Sequence, residues 1–166
     1  TLIENTLTQF FDIHHHWKVP DFSSMKNQLI YGSGVDSDYA LLEQLCWEGL
    51  PYRYSKEDWQ NEDSVIVQRL KKELALIREK SFVAYFLIKW DITSYARSKG
   101  YFYVGRGSGA NSIVAYLLRI TDVDPIELDL YFERFINLYR QNPPDFDIDF
   151  SWTDREDMTQ YIFSRF

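Results

Sequence analysis

Ile66, Leu70, Leu74 and Ile77 recur every three or four residues and form one apolar stripe, with Lys71 and Lys72 beside it. That spacing predicts a helix over residues 63–80. A second helical run covers residues 83–98, with Phe86, Ile92 and Tyr95 at inner positions and Gly100 to end it. Upstream, Ser37 is suited to cap a helix through Trp47 that stops at Gly49. Residues 2–11 also suit a helix, whereas residues 13–34 hold Pro20, Gly32 and Gly34 and show no period.

The pattern changes after Gly100. Residues 101–104 are a short β-prone run leading into the turn Gly105-Arg106-Gly107-Ser108-Gly109, and a helix is expected from Ala110 to about Arg119. Residues 122–129 read as a turn region holding Pro125, and residues 132–136 as a strand. Pro143-Pro144 blocks helix before it, so residues 145–150 should be extended. Thr153-Asp154-Arg155-Glu156 has the spacing of a capping box that opens a last helix over residues 154–166. Helices with a few short strands and no internal repeat predict an α+β fold.

Chemistry concentrates in the extended segment Pro-Asp-Phe-Asp-Ile-Asp-Phe at 144–150. On a strand, Asp145, Asp147 and Asp149 share one face, and Phe146, Ile148 and Phe150 share the other. The aspartates then stand about 7 Å apart. Folding does not require three like charges so close, and divalent cations relieve their repulsion. An acidic edge strand that discourages aggregation usually uses Lys or isolated charges, without aromatics behind them. The glycine-rich turn suits an anion: Arg106 brings a fixed cation, Ser108 a hydroxyl donor, and the glycines allow close approach. It lacks the Lys-Ser/Thr of a P-loop.

Composition narrows the setting. Of 166 residues 45% are apolar and 17% aromatic, enough for a packed domain. No apolar run is long enough to span a bilayer, no signal peptide is visible, and the lone Cys46 excludes an internal disulfide or a cysteine-based zinc cluster. Cytoplasmic location is expected. The net charge of −7 conceals a basic middle: residues 68–119 carry 10 Lys/Arg against 3 Asp/Glu, while the flanking stretches are acidic. Lys71, Lys72, Arg78, Lys89, Arg97 and Lys99 are expected to decorate solvated helix faces. Adjacent side chains of His14-His15-His16 point in different directions and are not expected to share one metal. The absence of an initial Met and the helix running to Phe166 suggest a piece of a longer protein.

Together these residues resemble the C-family DNA polymerases, the alpha subunits of bacterial DNA polymerase III. The resemblance runs in order through Phe86-Leu87-Ile88, Gly105 to Ala110, Val114 to Leu118, Ile120 to Pro125, Phe132-Glu133-Arg134-Phe135 and the 144–150 motif. It covers roughly residues 37–166. It implies a palm of the polymerase-β-like nucleotidyltransferase type in residues 36–166, preceded in residues 1–35 by a linker or tail from a PHP domain. The implied reaction is attack of a primer 3′-hydroxyl on the α-phosphate of a dNTP. Asp145 and Asp147 correspond to the catalytic metal ligands for two Mg²⁺, with Mn²⁺ able to substitute; Asp149 is a candidate third or supporting residue. Arg106, Gly107 and Ser108 correspond to triphosphate contacts, and Arg134 and Arg140 to further nucleotide-binding cations. Implied partners are primer-template DNA, dNTP and replication subunits such as a sliding clamp. The family's third catalytic aspartate, its fingers and its thumb would lie beyond Phe166, so the isolated chain should be inactive. Where the family commonly has Gly-Pro-Gly, this sequence has Tyr103-Val104-Gly105. The competing readings are a non-catalytic DNA-binding module and an Asp-x-Asp glycosyltransferase.

Overall fold

The computed structural model describes residues 29–137, 139 and 145–166. The expected helix at residues 2–11, the histidine triplet, Arg140 and the Pro143-Pro144 pair lie outside the described residues. The fold is α+β and rich in helix. Its order is α1 (Val35–Arg53), α2 (Lys56–Trp59), α3 (Val65–Glu79), α4 (Val83–Lys99), β1 (Tyr103–Arg106), a 3-10 turn (Gly107–Asn111), α5 (Ile113–Leu117), a second 3-10 turn (Phe132–Arg134), β2 (Asp147–Phe150) and α6 (Arg155–Arg165).

Helix α3 follows its sequence closely. Ser64 caps it by accepting the Val67 N–H at 3.2 Å, and all four residues of the apolar stripe are buried. Helix α4 ends at Gly100 in the left-handed conformation, as expected. Helix α1 departs from expectation: it starts after Gly34, takes Ser37 into its first turn, and runs through Gly49 and Pro51. Gly49 is no stop signal. A Cβ there would lie 2.4 Å from the Leu117 carbonyl oxygen, so the glycine lets α1 cross the backbone of α5.

The short α5 is buried at every position, and α1 and α3 pack against it. Its start is also corrected, from Ala110 to Ile113, because the Ser112 hydroxyl caps it by accepting the Ala115 N–H at 3.2 Å. The expected strand at 132–136 is instead a 3-10 turn; Phe132, Phe135 and Ile136, at helical spacing, all point into the core. The expected capping box at Thr153 does not form: its hydroxyl pairs with Ser151 and Asp154. Cys46 is fully buried, which pushes its thiol pKa up and leaves it inert.

Two buried carboxylates tie the helices together. Glu73 accepts from Arg69 Nε at 2.7 Å and from the Ser112 hydroxyl at 2.8 Å, while Arg69 also donates to the Asn111 and Leu130 carbonyls. Asp91 on α4 accepts from the hydroxyls of Tyr31 and Tyr161 and pairs with Arg165, docking α6. Among the described residues no helix is long and apolar enough to cross a membrane.

Burial pushes the Glu73 carboxyl up to about 7, against the lowering pull of Arg69 and Ser112. The folded state therefore binds this proton more tightly than the unfolded chain, whose carboxyl titrates near 4.5. The Glu73 contribution to stability should be largest below that lower value and decline as pH rises through about 7. Denaturant unfolding at a series of pH values should show this slope, and Glu73→Gln should remove it.

Candidate metal and phosphate site

Strand β2 owes its orientation to Phe146. That ring is 5% exposed, packs edge-on against Phe135 at 5.6 Å between centroids, and lies over Gly109. A Cβ on Gly109 would stand 2.2 Å from the Phe146 ring, so no larger residue fits there without displacing it. With Phe146 inward, alternation sets the rest: Asp145, Asp147 and Asp149 are exposed, and Ile148 and Phe150 are half-buried. The expected division of faces is what the structure has.

Strands β1 and β2 form a two-stranded antiparallel ribbon in which Arg106 pairs with Asp147, Gly105 with Ile148, Val104 with Asp149 and Tyr103 with Phe150. The β-run thus ends two residues later than the sequence pattern indicates. Gly105 is in the strand because its neighbours demand closeness: a Cβ would lie 2.0 Å from the Ile120 carbonyl oxygen, and Thr121 donates to the Gly105 carbonyl at 3.1 Å. Of the three glycines, Gly105 and Gly109 serve packing, and only Gly107 needs the left-handed region, at φ +80°. The turn that follows β1 is a 3-10 turn, so the expected direct entry into a helix is absent.

Arg106 stands on the carboxylate face. Its NH1 lies 3.1 Å from Asp147 Oδ2, and its Nε donates to Asp149 Oδ2 at 2.6 Å. The Asp149 hydrogen bond, with the charges of Asp149 and Asp147, pushes the guanidinium pKa above its ordinary value. Ser108 donates to the Asp145 carbonyl at 3.4 Å, joining the turn to the start of the carboxylate segment. Arg134 is exposed on the neighbouring 3-10 turn, and its neighbour Glu133 is taken by Lys72 at 2.5 Å. The structure therefore gathers Asp145, Asp147, Asp149, Arg106, Gly107 and Ser108 on one ribbon and turn.

Lys89 is a cation that the sequence pattern left among the solvated ones. It is half-buried, and its ammonium donates to the Phe146 carbonyl at 3.3 Å, between the two aspartates. Burial lowers its pKa, and the Asp147 charge opposes that shift. Its position three residues after buried Phe86 and three before Ile92 was the available signal. The rest of the basic middle is largely occupied by structure: Lys71 pairs with Glu62, Arg78 with Asp36, and Arg97 donates to the Arg119 carbonyl.

Exposed carboxylate oxygens suit a hard divalent cation, and the fit with Mg²⁺ or Mn²⁺ is chemical. Among the described residues, however, no three His, Cys, Asp or Glu side chains converge as a metal-holding group. Asp145 and Asp147 are both exposed, and a guanidinium stands beside the second.

Gly109→Ala should cost about 1–3 kcal/mol of stability, the usual range for overpacking a filled site. It should also shift the amide resonances of residues 145–150. Thermal unfolding and an amide spectrum check both; an unchanged stability would mean that Phe146 does not seat there.

Residues 40–166 match the family model described as "Bacterial DNA polymerase III alpha NTPase domain". The chain is 41% identical over 139 residues to an error-prone DNA polymerase of Anaeromyxobacter dehalogenans, a match covering 81% of this chain and 12% of that protein. It is 46% identical over 125 residues to an error-prone DNA polymerase of Bradyrhizobium diazoefficiens, covering 75% of this chain and 10% of that one. A DNA polymerase III subunit alpha of Ureaplasma parvum is 46% identical over 127 residues, covering 76% of this chain and 13% of the relative. The chain thus spans about a tenth of the length of these curated relatives.

Proposed function

The chain belongs to the bacterial DNA polymerase III alpha family, and on that premise we propose that residues 36–166 are the first part of a DNA polymerase palm of the polymerase-β-like nucleotidyltransferase type. The parent enzyme is a cytoplasmic DNA-directed DNA polymerase acting on primer-template DNA and dNTP, alongside replication subunits such as a sliding clamp. Residues 1–35 are its link from a preceding PHP domain. The observation that carries this reading is the exposed face of β2, where aspartates stand beside Arg106 and the Gly107-Ser108 turn.

Asp145 and Asp147 would hold Mg²⁺ or Mn²⁺, with Asp149 as a candidate third carboxylate. Bound divalent cations supply Lewis-acid activation of an attacking hydroxyl and charge neutralisation at the leaving oxygen. The chain's own residues do the positioning. Phe146 holds the aspartates outward, and Ser108 holds the turn against the Asp145 backbone. Arg106 offers donors to the anionic oxygens of a triphosphate, the Ser108 hydroxyl would join them on turning away from the Asp145 carbonyl, and Gly107 leaves room for them to approach. Arg134 and Arg140 add cations for the same nucleotide.

The double variant Asp145→Asn with Asp147→Asn should abolish Mn²⁺ binding, measured by electron paramagnetic resonance, with little loss of thermal stability because both side chains are exposed. Undiminished Mn²⁺ binding by the double variant would contradict this reading. The isolated chain should show no primer extension, since the fingers, thumb and a further carboxylate are expected elsewhere in the parent enzyme. Robust extension would sink that expectation.

A further inference from the structure

Arg106 is placed to do more than await a nucleotide. Its backbone sits opposite Asp147 in the ribbon, and its side chain contacts both Asp147 and Asp149. We propose that Arg106 is a built-in counter-cation of the carboxylate strand, anchored by Asp149, so that Arg106 and a divalent cation compete for Asp147. This inference rests on the metal-site reading above and assigns Asp149 to positioning Arg106 instead of ligating metal.

The geometry is uneven in a useful way. The shorter contact, 2.6 Å, joins Nε to Asp149, and the longer one, 3.1 Å, joins NH1 to Asp147. Loosening the longer contact frees the Asp147 oxygen while Nε stays on Asp149. The guanidinium then remains at the edge of the site with its outer N–H groups unoccupied by Asp147, where a triphosphate oxygen would meet them. Arg106 cannot lose its charge by deprotonation, so relief of the contact requires movement of the side chain.

Both contacts are made in the open. Arg106 is 57% exposed, and Asp147 and Asp149 are 50% and 57% exposed. Exposed ion pairs are weak, so exchange of one cation for another at Asp147 is cheap. Lys89 adds a second positive charge felt by Asp147, but its ammonium donates to the Phe146 carbonyl. The arrangement neutralises part of the strand's repulsion when no metal is bound. It also makes release of Arg106 a consequence of metal loading.

Mn²⁺ titration of the chain, followed by electron paramagnetic resonance, tests the competition. Arg106→Gln should bind Mn²⁺ about threefold to tenfold more tightly than the unaltered chain, the scale of one or two lost exposed pairs. Adding Asp149→Asn to Arg106→Gln should weaken binding by no more than about threefold, the effect of one nearby charge lost in water. Equal or weaker binding by Arg106→Gln would overturn the competition. A loss of about tenfold or more on adding Asp149→Asn would make Asp149 a ligand and overturn its anchoring role. If neither the unaltered chain nor the variant binds Mn²⁺, the metal-site reading fails and this inference falls with it. A readout independent of any variant is the Arg106 Nε–H resonance of the unaltered chain during Mg²⁺ titration. It should persist while the NH1 environment changes, and an unperturbed guanidinium at saturating Mg²⁺ would also overturn the proposal.

Discussion

Phe146 lies between the Phe135 ring and the backbone of Gly109, in a space that leaves no room for a side chain at residue 109. Because strand side chains alternate, this one buried ring decides the direction of its neighbours. Asp145 and Asp147 flank it in sequence and must face solvent. A slip of one residue would bury the aspartates against the main apolar cluster and expose two rings, which the cost of burying unpaired charge forbids. The orientation of the candidate site is therefore a core-packing result.

The frame beneath is fastened by charges of a different kind. Glu73 and Asp91 are buried and fully engaged, and removing a partner from either would leave a buried carboxyl short of its hydrogen bonds. Asp147, Asp149 and Arg106 are exposed and only paired with one another. The first kind of contact fixes helices; the second exchanges readily. A ribbon whose backbone is paired and whose charges are exchangeable is suited to taking up and releasing ionic ligands.

Legibility in the sequence followed the range of the interactions. The α3 stripe and the alternation of β2 depend on local period, and both were readable. Gly49 looked like a helix end because its role depends on where α1 meets α5, a contact between residues far apart in sequence. The run 132–136 read as a strand, although Phe132, Phe135 and Ile136 already had helical spacing. At the site, the aspartates and the glycine turn were visible as motifs. The Arg106 pairing with Asp147 and Asp149 was not, because strand register is a tertiary fact, and Lys89 was hidden among surface-like lysines.

On the proposed function, Phe146 presents the carboxylates and the Arg106–Ser108 turn as one metal-accepting surface. Paramagnetic broadening of amide resonances by substoichiometric Mn²⁺ measures this directly. Residues 105–108 and 145–149 should broaden first and together, while signals around Glu73 remain sharp. Broadening that starts elsewhere, or that spreads evenly over the acidic surface, would contradict this arrangement.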